Sequence, residues 1–427
     1  MKKTFKVVAF LLLVLVTSTF VFAQESNTFT ATAGTLRDDA DNFMDVRYYN
    51  EVDFSNFFAW TDISSSDANL GFAKKFDELY IGAYYAGSLW NSINNKEVSS
   101  TESRTDNSAV LSNEFDLLFG FSGMALKLDT YFNTNDTFTK DENNLNETHN
   151  SNYYFGLTLG GFSVPAENFN VKPWAKVGLN FYDKCGHSEN TIEVAGIKTT
   201  TTIDDKSGNY NYLTVILASD FEWGDKESLF SVAGLQYLFG SRLGLNGALT
   251  TVKISIDGVS ESGSVNYVGR SYIKNTIIPS YRFEYKASDD LKFGGKATVN
   301  VDMTSTSTGY SYSDTPVSTE VTLTTTTNVT SELDFGMQYK LKPNFAMNLG
   351  LRAVLPSFDY EKKINGLTAV TTVTTNTDSF SSYLRTGFVW DINENSALDA
   401  SMSIGTSPKF LSSILDGALS LGFKYKM

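Results

Sequence analysis

The feature that most constrains this chain is a period of two in its apolar residues, sustained over most of its length. Leu333, Phe335, Met337, Tyr339 and Leu341 alternate with Asp334, Gly336, Gln338 and Lys340. After Lys342-Pro343-Asn344 the pattern resumes in Phe345, Met347, Leu349, Leu351, Ala353 and Leu355. Successive side chains of a strand point to opposite faces, so each segment has one apolar and one polar face. So short a connection makes the two segments a hairpin. The unit recurs over Leu213–Trp223, Tyr281–Tyr285 and Leu291–Met303. At the C-terminus Leu419, Leu421, Phe423, Tyr425 and Met427 alternate with Ser420, Gly422, Lys424 and Lys426.

The N-terminus reads as an address. Lys2, Lys3 and Lys6 precede an apolar run from Val7 to Val16, and Val21-Phe22-Ala23 supplies a small residue for signal peptidase. Residues 1–23 are therefore expected to be a cleaved secretory signal, since the run falls short of the ~20 residues of a spanning helix. No Cys follows it, which excludes lipoprotein processing. Later in the chain no apolar run approaches the ~18 residues that would mark a transmembrane helix. An exported chain of this kind is either a soluble β-sandwich or a closed β-barrel.

Three features favour the barrel. The apolar-polar segments reach the ~9–11 residues that a tilted membrane strand requires. Connections alternate between short ones, such as Asp77-Glu78, Ser122-Gly123, Ala287 to Asp290 and Lys342 to Asn344, and long polar ones, such as Asn91 to Asn113, Thr134 to Asn150 and Ser305 to Val329. That asymmetry fits short periplasmic turns and long external loops. Trp60, Tyr84, Tyr85, Trp90, Trp174, Trp223 and Trp390 stand near strand ends, where interfacial girdles are expected.

On these residues the chain resembles bacterial outer-membrane β-barrel proteins over most of residues 52–427. The resemblance implies localisation in the outer membrane, with outer-membrane lipid and the barrel-assembly machinery as partners. The assembly strand would be Leu419, Leu421, Phe423, Tyr425 and Met427. In that family the last residue is typically Phe or Trp, and Met427 departs from it.

Short turns after residues 76, 121, 162, 223, 286, 341 and 391 imply an all-β, closed antiparallel transmembrane barrel of about 16 strands. Should the first strand, near Asp53 to Thr61, not form, about 14 remain. The expected divisions are a signal peptide (1–23), an N-terminal periplasmic or plug segment (24–52) and the barrel (53–427). The stretch Leu243 to Tyr285 is too long for one strand, so a turn is placed at Val259 to Gly263. Thr199–Thr202, Thr322–Thr327 and Thr371–Thr377 favour extended backbone and are expected to form external β-ribbons.

Composition narrows the function. With 34 basic and 48 acidic residues the net charge is −14, a poor match to nucleic acid, which needs clustered Lys and Arg. A single Cys allows no internal disulfide, and two His leave little for a metal centre. Cys185-Gly186-His187 is a lone C-x-H in an expected external loop, with His149 in another. Asp38, Asp39, Asp41 and Asp45 form an acidic cluster that reads as a solvated segment rather than a Ca²⁺ loop, because the spacing is not that of an EF-hand. No nucleophile elbow or phosphate-binding loop sits on a strand-to-helix turn, so neither enzymatic activity nor a cofactor is expected.

The expected inward charges are Lys127, Asp129, Asp220, Glu222, Arg282, Glu284, Lys296, Asp334 and Arg352. Lys or Arg facing lipid at the midplane would cost ~2–4 kcal/mol, so these groups should line the lumen. The leading expectation is a passive, weakly cation-preferring channel for small solutes. Similarity to the long-chain fatty-acid transporter family implies an alternative, with Gln24 to Val52 as a hatch and a hydrophobic ligand as cargo. That family has 14 strands and an Asn-Pro-Ala hatch motif, and this chain lacks the tripeptide. Long Thr- and Asn-rich external segments suggest a third reading, a surface adhesin or structural barrel without transport.

Overall fold

A computed structural model describes residues 32–33, 35–64, 68–87, 104–107, 111–140, 144–194, 197–206, 210–243, 249–256, 259–312, 320–365, 368–370, 380–405 and 419–426. The signal-peptide region, Trp90, Thr371–Thr377 and Met427 lie outside these residues.

Strands dominate. The first are β1 (Phe57–Ser64), β2 (Ala68–Phe76), β3 (Leu79–Gly87), β4 (Arg104–Asn107), β5 (Leu111–Phe121), β6 (Met124–Lys140) and β7 (Asn144–Gly160). There follow β8 (Val164–Pro165), β9 (Asn170–Val194), β10 (Ile197–Lys206), β11 (Tyr210–Gly224), β12 (Leu229–Leu243), β13 (Leu249–Ile256) and β14 (Val259–Lys286). The last are β15 (Leu291–Tyr312), β16 (Glu320–Lys342), β17 (Phe345–Asn365), β18 (Thr368–Val370), β19 (Ser381–Asn393), β20 (Ser396–Gly405) and β21 (Leu419–Lys426).

Sixteen of these pair in chain order as a closed antiparallel barrel. The first and last strands close it, with Phe58 opposite Lys426, Trp60 opposite Lys424 and Asp62 opposite Gly422. Closure leaves no sheet edge, the condition for strands in a bilayer. Strands β4, β8, β10, β13 and β18 lie outside this ring. β10 pairs with β9 and β13, and β13 pairs with β14, so a ribbon rises above the wall where the two longest strands outreach β11 and β12.

Among the described residues, the short turns that join β2 to β3, β5 to β6, β11 to β12, β14 to β15, β16 to β17 and β19 to β20 stand at one end. Ser122 and Gly123 both have positive φ, 46° and 81°, which joins β5 to β6 in two residues. Such a turn matches the twist of the flanking strands. The expected pattern of exposure is present on β7, where Tyr153, Phe155, Leu157 and Leu159 are exposed and Thr158 is buried. The apolar face thus looks outward, where lipid would cover it.

Several expectations are corrected. The first strand begins at Phe57, not Asp53. Thr134 to Asn150 is largely strand, continuing β6 and β7 with Asn135 opposite Asn150. Ser305–Tyr312 and Glu320–Val329 likewise extend β15 and β16. Above the bilayer a strand needs no apolar face, so the alternation fades while the ladder continues. Val259 opens β14 opposite Ile256, which moves the reversal ahead of the expected Val259–Gly263. Thr199–Thr202 lies in β10 and Thr322–Thr327 in β16, both paired on two sides, as expected of ribbons.

Candidate functional site

The barrel interior is occupied at its short-turn end by residues 32–56, which run ahead of β1. A one-turn helix α1 (Asp39–Asn42) is fixed by a capping box. The Asp38 carboxylate accepts from the Ala40 amide at 2.8 Å, and Asp41 accepts from the Asp38 amide at 2.7 Å. A 3-10 turn, Tyr49–Glu51, follows. Between them these turns aim Phe43, Met44, Val46, Tyr49, Val52 and Phe54 at the barrel wall, where all are buried.

The wall is shaped to receive them. Phe43 packs on Phe58 and Trp60 with ring centroids 5.5 and 6.1 Å apart, and Trp60 stacks on Tyr84. Tyr80 donates to the Phe43 carbonyl at 2.7 Å, and Tyr49 to the Met124 carbonyl at 3.1 Å. Glycines provide the remaining space. A Cβ at Gly71 or Gly120 would collide with the Phe43 or Tyr49 ring, and one at Gly160 would stand 2.6 Å from Val46. Across the lumen Gly294 and Gly336 admit Thr35 in the same way.

Trp60, Tyr84 and Trp174 are therefore not girdle residues. Trp60 and Tyr84 are 1% exposed and face inward, and Trp174 packs against the same core. Strands β1 to β3 carry apolar residues on both faces because one face meets lipid and the other meets residues 43–54. Trp223 and Trp390 are exposed, as girdle positions should be.

Charge fixes the segment as well. Arg47 donates to both Asp45 carboxylate oxygens at 2.9 and 2.7 Å and to Asp220 of β11 at 2.8 Å. Arg37 reaches Asp45 at 2.9 Å, and the Tyr48 hydroxyl donates to Asp220 at 3.0 Å. Burial alone would raise the Asp45 carboxyl, but Arg47 and Arg37 outweigh it and hold the group well below the usual carboxylate range. Glu51 pairs with Lys172 and Lys226, each at 2.6 Å. Burial again opposes, and those two lysines keep its carboxyl low. Lys424 and Lys426 of β21 pair with Asp38 and Asp39. The acidic cluster is thus neither a Ca²⁺ loop nor a solvated stretch. Its members cap a helix or neutralise specific cations.

The expected inward charges fall into two groups. Lys127 and Asp129 are buried with Asp116, Lys127 standing 2.7 Å from Asp116 and 2.8 Å from Asp129, while Lys176 reaches Asp129 at 2.8 Å. Asp220 and Glu222 are buried too, and Glu222 lies 3.2 Å from Lys172. The others run along a row in which Arg282 is opposite Lys296, Lys296 opposite Asp334 and Asp334 opposite Arg352. Arg282 pairs with Glu284 at 2.6 Å and Arg352 with Asp334 at 2.8 Å. Leu419, Leu421, Phe423 and Tyr425 of the last strand pair in register with β20. Arg37, Arg47, Lys172 and Asp116 were not singled out from the sequence. Arg47 and Asp220 are 173 positions apart, and no local pattern joins them.

Cys185 and His187 are in β9, not in a loop. His149 of β7 occupies the register position opposite Cys185. His187 Nδ1 is 2.6 Å from Asp204 of β10, a hydrogen bond that raises its pKa. Among the described residues no group of three or more His, Cys, Asp or Glu is set to hold a metal ion. Among them, too, no helix is long and apolar enough to cross a membrane.

No protein-family model matches the chain, and no curated protein matches it. Solved structures of similar architecture do. The toluene transporter TodX of Pseudomonas putida is 9% identical, with 96% of this chain and 99% of that one covered at a TM-score of 0.43. A FadL homologue of Pseudomonas aeruginosa is 11% identical, covering 96% and 100% at a TM-score of 0.45. The toluene transporter TbuX of Ralstonia pickettii is 10% identical, covering 94% and 98% at a TM-score of 0.44.

Proposed function

We propose that this outer-membrane β-barrel carries small apolar solutes across the outer membrane past an N-terminal segment that closes its lumen to ions. The observation that carries this reading is the seating of residues 35–54 across the short-turn end. There they bury an aromatic core against β1, β2, β3 and β5 and reach β9, β11, β15, β16 and β21 by ion pairs or glycine contacts. A sixteen-strand barrel would otherwise enclose an aqueous channel. An unobstructed porin needs no aromatic inner wall, and a lumen with both an apolar wall and a closure favours the hydrophobic-cargo reading over the passive open channel. TodX and TbuX are named as toluene transporters, a cargo of the same class. The short-turn end faces the periplasm in this reading, as short turns do in outer-membrane barrels.

Two measurements on the full chain test it. In a planar bilayer the refolded protein should show no stable open steps. In cells, its expression should speed accumulation of N-phenyl-1-naphthylamine, a small apolar fluorophore, without speeding entry of a neutral sugar. Stable conductance together with sugar flux would restore the open-channel reading. Silence with no fluorophore uptake would favour a barrel without transport.

A further inference from the structure

The segment does not meet the barrel wall evenly. Its apolar core lies against β1, β2, β3, β5 and β6, with Gly160 of β7 and Trp174 of β9 at the margin, and Gly71, Gly82 and Gly120 accept it on that side. On the opposite side a cavity of about 670 Å³ lies beside residues 36–39, between them and the wall, and the Asp38–Lys424 and Asp39–Lys426 pairs border it. It is lined by Leu36, Gln338, Asn344, Val389, Asn395 and Ala397 among others, and it reaches the short turns between β16 and β17 and between β19 and β20. Sites for small molecules commonly measure ~300–1,000 Å³, so this volume takes a small organic solute. Charged side chains border it as well: Lys424 pairs with Asp38 and Asp399, Lys426 with Asp39 and Glu284 with Arg282, and Lys292, Asp391 and Glu394 stand at its rim. Among them Leu36, Val389, Ile392 and Ala397 give a solute an aliphatic face.

We infer that solute leaves the barrel through this cavity, beside a segment that stays seated, and not through a lumen vacated by the segment. The inference rests on the transporter reading and adds to it the route of the exit. Displacing the segment would expose the aromatic core and break the contacts of Arg47 and Glu51. Passage beside it disturbs neither. Ala397 faces the cavity from β20, opposite Lys424 in the ladder with β21, and so marks the route.

A lock on the far side of the segment tests the idea. The single native thiol is first removed as Cys185→Ser. Val46→Cys and Gly160→Cys are then combined. A Cβ at Gly160 would be 3.1 Å from that of Val46, so a small relaxation reaches the ~3.5–4.5 Å of a disulfide. N-phenyl-1-naphthylamine uptake should be the same before and after oxidation, while Ala397→Trp, which fills the cavity, should reduce uptake to that of cells lacking the protein. Loss of uptake on oxidation, recovered with reductant, would show that the segment must move and would overturn the inference. So would unimpaired uptake in a folded Ala397→Trp barrel. Absence of uptake by the unaltered chain would instead refute the transporter reading itself, so the two failures are distinguishable. Asn395→Trp repeats the filling test at a second lining residue should Ala397→Trp not fold.

Discussion

If residues 35–54 hold the lumen closed, Arg47 is the side chain whose loss should open it. Arg47 is 25% exposed and Asp220 11% exposed, and their contact joins the segment to β11. Removing one partner of a buried ion pair costs about 3–5 kcal/mol, mostly through the charge left behind. Here the lower end applies, because Arg37 still reaches Asp45 at 2.9 Å and the Tyr48 hydroxyl still reaches Asp220 at 3.0 Å. A loss of about 3 kcal/mol corresponds to roughly a hundredfold change in the ratio of open to closed barrels, at 1.4 kcal/mol per factor of ten. The perturbation is Arg47→Met, which removes the guanidinium that lies over Trp174 and Tyr48 and keeps an apolar side chain of similar reach. The assay is the open fraction of single barrels in a planar bilayer. Adding Asp220→Asn to Arg47→Met removes the orphaned charge and should return most of the closure. If Arg47→Met is as silent as the unaltered chain, or if adding Asp220→Asn opens it further, the ion pair does not hold the segment and the reasoning fails.

Further outcomes follow from the same contacts. Phe43→Ala deletes a ring that is 2% exposed and should weaken seating by about 3–5 kcal/mol, read as a raised open fraction. Gly71→Val should do the same by forcing that ring out, and a silent Gly71→Val barrel would contradict the packing. Asp45 and Glu51 have carboxyl pKa values lowered by their cations, so their stabilisation is complete above the unfolded value near ~4 and is lost as pH falls below it. Conductance should therefore stay absent from neutral pH down to about 5 and appear only in stronger acid. Leu157, exposed on the outer face of β7, should tolerate Arg poorly, and Leu157→Arg should cost ~2–4 kcal/mol in a urea titration in lipid if it lies near the midplane.

The architecture was largely legible from the chain. Turns expected after residues 76, 121 and 286 are present at Asp77-Glu78, Ser122-Gly123 and Ala287–Asp290, because a turn interrupts a period of two wherever it falls. Parity alone set Lys127 and Asp334 on the face away from their apolar neighbours, since a charge between two such neighbours on a strand faces the other side, and both are buried. The signal weakened where that contrast was lost. Cys185 and His187 looked like loop residues because β9 is polar on both faces above the bilayer. Trp60 and Tyr84 looked like girdle residues because β1 and β3 are apolar on both faces.

Alternation, strand length and turn spacing, all of them local, thus determined by themselves that this chain closes into a large antiparallel barrel with an apolar exterior. What occupies the barrel was decided only in three dimensions. The acidic run from Asp38 to Asp45 does not declare that Asp38 and Asp39 meet Lys424 and Lys426 of the last strand, nor that Arg47, the local partner of Asp45, also reaches Asp220 of β11. Nor do Gly71, Gly120 and Gly160 declare which rings and methyl groups they admit. A strand's pattern reports which of its faces is wet and which is greasy. It does not report what stands opposite the inner face, because that depends on contacts between residues far apart in the chain, and those exist only once the barrel has closed.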